Sequence, residues 1–210
     1  MNDRPVSVHT IPNAFGRIFL ISMEEILGRV GVNAVLNQAH LSVFIDNYPP
    51  VDLEPMTHED LFVRVGEALE GVYGVRGGRG LALRAGRASF KFYLREYGQV
   101  MDLEQAEFRL LPLDQKVRSG LKKIAAFFAA HTGQQITLRE DDTYVYWETE
   151  ICPFCWGRRA DSPVCQYQVG LLQSALYWLS GGRFYAVQEE ACIAAGAPAD
   201  VIRIDRFALD

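Results

Sequence analysis

Cysteine is scarce in this chain: four residues in 210, and three of them fall in one stretch, CPFCWGRRADSPVC, from Cys152 to Cys165. Long apolar runs are missing too. The densest, IAAFFAA at 124–130, is far short of the roughly 18 residues of a membrane span and sits in an amphipathic pattern, so no span is expected. The opening MNDRPVSVHTIPN lacks the apolar segment of a secretory leader. A basic excess is absent. The net charge of −5 argues against direct nucleic-acid binding, which needs cations to neutralise phosphate. No Gly-Lys-Ser/Thr loop and no dinucleotide or flavin fingerprint appears, so no nucleotide cofactor is expected. The four histidines, His9, His40, His58 and His131, are scattered. They form neither a metal cluster nor a Ser-His-Asp or Cys-His arrangement, and no pair of carboxylates is set up for acid–base catalysis. The expectation from these absences is a soluble, cytoplasmic protein, with no catalytic constellation identified. In that compartment clustered cysteines serve as metal ligands or redox groups more often than as disulfides.

What is present is periodicity. Phe15, Phe19, Met23, Ile26 and Val30 recur at helical spacing after a candidate cap, Asn13, and Gly31 ends the pattern before a second, shorter helix. Two prolines in NYPPVDLEP break the chain. Thr57 and Asp60 then open a helix in capping-box spacing, with Leu61, Val65, Leu69 and Val72 on one face. GVRGGRG at 74–80 reads as a flexible turn, and a further helix runs from about Leu81 to Tyr97, with Arg84, Arg87, Lys91 and Arg95 along one solvated face. Val117, Leu121, Ile124 and Phe128 mark the next helix, closed by Gly133.

The period then changes to two. QQITLRED and TYVYWETEIC alternate around Asp141-Asp142 as a hairpin, with aromatics on both faces, so both faces are expected to be covered. A last long helix from about Val164 to Leu179 and two more strands, RFYAVQEEAC and DVIRIDRF, complete the order helices, hairpin, helix, hairpin. Without βαβ alternation this gives an α+β fold, about four antiparallel strands packed against several helices, in a single domain over 1–210. Residues 1–50 form a helical segment and 51–210 the core.

Cys152 and Cys155 form a Cys-x-x-Cys pair, which suits either redox chemistry or half of a zinc site. The thioredoxin-like context for the redox alternative is missing. Cys165 opens a helix, where the dipole favours thiolate. Glu189 and Cys192 end one strand, and Asp200 opens the next across a turn. These four donors, Cys165, Glu189, Cys192 and Asp200, form a second candidate set. The plainer alternative is buried cysteine acting as a small hydrophobe.

From IPNAFGRIFLISMEEILGRVGVNAVLNQAHL to SPVCQYQVGLLQSALYWLSGGRFYAVQEEACIAAGAPADVIRI the chain resembles the 4-vinyl reductase domain family, also called hydrocarbon-binding proteins. Cys165, Gly170, Glu189, Cys192 and Gly196 match the family pattern. The resemblance implies a ligand-binding fold of the nitric-oxide-signalling and Golgi-transport type, and a structural zinc held at Cys165, Glu189, Cys192 and Asp200. Asp200 stands where the family has cysteine, and Cys152 and Cys155 are the alternative donors. A sensor of this type holds a small hydrophobic molecule (aromatic, isoprenoid or lipid-like) between sheet and helices. Phe127, Phe128, Tyr144, Tyr146, Trp147, Trp156, Tyr177 and Trp178 are the candidate walls. Taken singly, each is equally at home in an ordinary core. The first helix also carries Ile18, Leu20, Ile21 and Leu27 around its circumference and so needs a second neighbour. The resemblance points the same way, to a homodimer through this helix, and the face of Arg84, Arg87, Lys91 and Arg95 is the alternative docking surface for a protein partner. The alternatives in other classes are an accessory reductase component or chaperone in (bacterio)chlorophyll vinyl reduction, and an interaction scaffold with a permanently bound lipid.

Overall fold

The computed structural model describes residues 10–209; His9 lies outside them. Helices α1 (Asn13–Gln38), α2 (Leu61–Tyr97), α3 (Ala106–Arg109) and α4 (Leu113–Thr132) precede strands β1 (Ile136–Glu140) and β2 (Tyr144–Thr149). Helix α5 (Gln166–Leu179) and strands β3 (Val187–Ala191) and β4 (Asp200–Asp205) follow. The four strands form one antiparallel sheet in the order β1-β2-β4-β3. The α+β architecture expected from the change of period is therefore the one observed. Among the described residues no helix is long and apolar enough to cross a membrane.

Alternation along the strands sorts the sheet into two faces. Leu138, Trp147, Ile202 and Glu189 form one cross-strand row on the inner face; Val145, Ile204 and Val187 form the next. Helices cover this face. The outer face carries Tyr144 and Tyr146, half-buried, and among the described residues no helix packs on them. Instead the Arg139 guanidinium lies 4.2 Å from the Tyr146 ring centre and that of Arg203 4.6 Å from Tyr144. The expectation that both faces lie under other elements is corrected: planar cations shield the outer rings while keeping their charge in water.

Two further corrections concern helix punctuation. The break predicted at Gly31 falls at Gly28 (φ 69°, ψ 163°), and the turn predicted for 74–80 contracts to Gly74 (φ 73°, ψ 161°). This backbone conformation is essentially restricted to glycine. The remaining glycines of GVRGGRG stay helical because α2 is held by its neighbours rather than by propensity. The predicted caps also act differently. Asn13 donates from Nδ2 to Asp52 instead of capping α1. Asp60 pairs with Arg64, and α2 starts only at Leu61, so Thr57 lies ahead of it.

The tightest helix contact is the crossing of α2 and α5. A Cβ at Gly170 would lie 2.0 Å from the Leu83 carbonyl oxygen, and one at Gly86 2.0 Å from that of Tyr167. Only two glycines let these backbones touch. On α1, Phe15, Phe19 and Met23 are buried in the chain's own core, while Val30 is 85% exposed. The apolar circumference of the first half of α1 is thus filled within one chain.

Candidate functional site

The sheet register and the α5 N-terminus bring six donors together. Cys165 is the residue preceding α5, Cys192 follows β3, and Asp200 opens β4 opposite Thr149. A bulge between Glu189 and Ala191 interrupts the pairing of β3 with β4 and re-aims the chain toward Cys192. The loop from β2 to α5 folds back so that Cys152 and Cys155 reach the same place. All four thiols are buried and free, and Glu189 and Asp200 are buried with them.

The donor atoms of Cys165, Glu189, Cys192 and Asp200 all lie within 4.8 Å of one another, and so do those of Cys152, Cys155, Cys165 and Asp200. Cys152 Sγ is 3.5 Å from Cys165 Sγ, and Cys165 Sγ is 3.9 Å from Cys192 Sγ. Asp200 Oδ2 lies 3.2 Å from Cys155 Sγ and 3.4 Å from Cys165 Sγ, while its Oδ1 accepts the Ile193 N–H at 2.6 Å. Glu189 Oε2 accepts the Cys165 N–H at 2.8 Å and the Gln166 amide at 3.2 Å. Its Oε1 is buried without a partner among the described residues.

So many potential anions in one dry place disfavour ionisation. Burial pushes the Glu189 carboxyl up to about 8 and that of Asp200 up to about 6. The Cys152 thiol beside it pushes Cys155 up to about 12, and burial holds Cys165 well above the ordinary thiol range. The helix start at Cys165, expected to favour thiolate, is outweighed by desolvation. A divalent cation would reverse this balance, since a coordinating thiol is deprotonated outright. The cluster fits a metal ion by donor type, by burial and by the mutual approach of its donor atoms.

A cavity of about 30 Å³ lies next to the cluster, between the inner face of the sheet and the helices. Its wall includes Phe15, Phe62, Tyr93, Phe128, Trp147 and Phe154, with polar contributions from Thr132, Gln134 and Gln168. Two polar atoms on wall residues, Trp147 Nε1 and Gln168 Oε1, have no hydrogen-bond partner among the described residues. Their residues are 1% and 6% exposed, so solvent does not serve them. The Tyr167 hydroxyl, by contrast, donates to Ser22 Oγ at 3.1 Å, because Ser22 spends its own proton on the Phe19 carbonyl.

Of the aromatic residues singled out in the sequence, Phe128 and Trp147 border this cavity. Phe127 is buried one layer away against Phe15, Tyr97 and His131. Tyr144 and Tyr146 are on the outer face. Trp156 is half-buried just past Cys155, and Trp178 packs near Phe90. Tyr177 borders a separate open groove of about 500 Å³ with Phe184 and Leu209. Gln168 and Phe154 were missed. A glutamine inside the apolar run of α5, and a phenylalanine between two cysteines, were the available signals.

No protein-family model and no curated protein matches the chain. Solved structures do. An H-NOX variant labelled Tt shares 12% identity at a TM-score of 0.56, covering 93% of each chain. The Fe(II) unliganded H-NOX protein from K. algicida shares 10% at 0.56, covering 95% of this chain and 97% of that one. The phenol-responsive sensory domain of the transcription activator PoxR, solved with phenol, shares 17% at 0.51, covering 72% and 77%. At such identities the likeness shows the fold: this chain has the α+β fold of H-NOX domains and of the PoxR phenol-sensing domain.

Proposed function

We propose that the chain is a small-molecule-binding domain of a sensor, holding a compact aromatic molecule with a hydroxyl group in the inner cavity and a zinc ion in the adjacent thiol cluster. The observation that carries the ligand is the pair of orphaned polar atoms in an apolar wall. Buried polar groups are almost always satisfied, and an unmet one costs about 1–3 kcal/mol. A hydroxyl accepts from Trp147 Nε1–H and donates to Gln168 Oε1, while the ring packs on phenylalanines. As it stands the cavity takes water-sized groups only, so ligand entry moves side chains of the wall. PoxR, whose sensory domain was solved with phenol, supports this ligand class. The motif residues of the 4-vinyl reductase resemblance support the same reading, since Cys165, Glu189 and Cys192 converge in space.

A heme, studied in H-NOX structures, does not fit. The cavity wall has no histidine, cysteine or methionine, the usual axial ligands. Of its tyrosines, Tyr167 is engaged by Ser22, and Tyr93 is buried, which raises its phenol well above the usual range.

The homodimer stays part of the proposal on different residues. Val30, Val72, Tyr73 and Val75 are exposed apolar side chains around the Gly28 and Gly74 breaks, and a Cβ on Gly31 would lie 3.9 Å from the Tyr73 hydroxyl, so the two segments adjoin. The test of the ligand is a thermal-shift series with phenol, benzene, fatty acids and isoprenoids. Phenols should raise the melting temperature with the logarithm of their concentration. A flat response to every hydroxylated aromatic would retire the ligand.

A further inference from the structure

We infer that the metal is held by Cys152, Cys155, Cys165 and Asp200, with Cys192 and Glu189 standing outside the ligand set, and that the Cys152-Pro153-Phe154-Cys155 turn makes the metal centre and the cavity wall one structural unit. This rests on the reading of the cluster as a metal centre. Zinc bonds of about 2.3 Å to sulfur and about 2.0 Å to oxygen, at tetrahedral angles, set donors about 3.8 Å (S···S) and about 3.5 Å (S···O) apart. The separations of 3.5 Å for Cys152–Cys165, 3.2 Å for Cys155–Asp200 and 3.4 Å for Cys165–Asp200 already approach those edges. Asp200 Oδ2 meets both thiols, while Oδ1 lies 3.5 Å from Cys155 Sγ and accepts the Ile193 N–H; that bond orients the carboxylate as an outer-shell partner does.

The competing set, Cys165, Glu189, Cys192 and Asp200, is as compact. It supplies two thiolates against three, however, and closed zinc sites favour thiolate. Its Glu189 spends Oε2 on the Cys165 N–H and Gln166 and would have to bind the ion through Oε1 alone, so the thiolate count decides between the sets, and Glu189 is left to position Cys165 from behind.

The same four-residue turn builds the cavity. Pro153 and Phe154, between the two chelating cysteines, both line it. The Phe154 ring stacks on Tyr167 at 5.2 Å and meets Phe62 edge-on at 5.0 Å. Tyr167 and Gln168 line it two and three residues after Cys165. A metal gripping Cys152 and Cys155 therefore fixes Phe154, and a displaced Phe154 strains the grip. Coupling of this kind is reciprocal and amounts to about 5–150-fold in affinity.

X-ray absorption at the zinc edge of the zinc-loaded full chain tests the ligand set. One ion per chain with three sulfurs and one oxygen is expected, Cys152→Ser should remove one sulfur, and Cys192→Ser should remove none. Two sulfurs with two oxygens, or four sulfurs, would overturn the set while leaving the metal centre intact; no bound metal would overturn the metal centre itself. Chelator competition tests the coupling without any organic ligand. Phe154→Ala should weaken zinc about tenfold, while Phe128→Ala, across the same cavity on α4, should leave zinc affinity within about twofold. Equal effects from the two variants would overturn the coupling.

Discussion

Trp147 and Glu189 flank Ile202 in a single row of the sheet, yet the two ends of that row are chemically opposite. At the Trp147 end the unmet groups are neutral, an indole N–H and an amide oxygen, in a wall of aromatic rings. At the Glu189 end they are thiols and carboxyls whose ionisation burial opposes. The first place suits a neutral hydroxyl, which satisfies a donor and an acceptor at once. The second suits a cation, which alone can offset several buried anions. One strand row can thus serve two different guests because side chains, not backbone, set the local dielectric and charge.

Removing the cation should have the largest effect. With metal at a thousand times its dissociation constant, chelation costs about 4 kcal/mol of stability, or about 8–16 °C in a chain of this size. Calorimetry with and without chelator measures it, and an unchanged melting temperature would count against the metal end of the comparison.

Next comes Gly170→Ala, which attacks both ends together because α5 carries Cys165 at its start and Gln168 one turn in. Its new methyl would meet the Leu83 carbonyl. Overpacking of this kind costs about 3 kcal/mol at the upper end of the usual range, about 6–12 °C by thermal melt. Zinc and ligand should weaken in parallel; a shift in only one would separate the two sites.

Trp147→Phe should act on one end alone. The preference for phenol over benzene falls about tenfold, the worth of one hydrogen bond, while zinc content stays at the wild-type value. Titration calorimetry and elemental analysis of the same sample check both halves. Smallest is Val30→Asp, outside both sites. It should change stability by less than about 0.5 kcal/mol but lower the mass seen by light scattering from two chains to one. A wild-type mass of one chain would remove the dimer.

Local physics made much of this legible in the sequence. Val169, Leu172, Leu176 and Leu179 had to share one face of α5, and Val145, Trp147 and Thr149 one face of β2, because helix and strand periods leave no other arrangement. Gly133 could be read as a helix end, and it adopts the left-handed conformation there. What lay beyond reach was any fact set by a neighbour. GVRGGRG reads as a turn by composition but is helical after Gly74, since packing outweighs propensity. Tyr146 and Trp147 are adjacent aromatics, and alternation separates them without saying which side the helices take.

The sequence by itself determined which residues share a helix face or a strand face, and that thiol and carboxyl donors are concentrated in the last third of the chain. Only the tertiary structure decided that Cys152 and Cys155 lie beside Cys165 and Asp200, that Gln168 Oε1 is unpartnered among the described residues, and that Phe154 packs against the thiol cluster while also lining the cavity. Contacts across a dozen or more residues depend on loop closure and helix packing, and no local period encodes where a folded-back loop comes to rest.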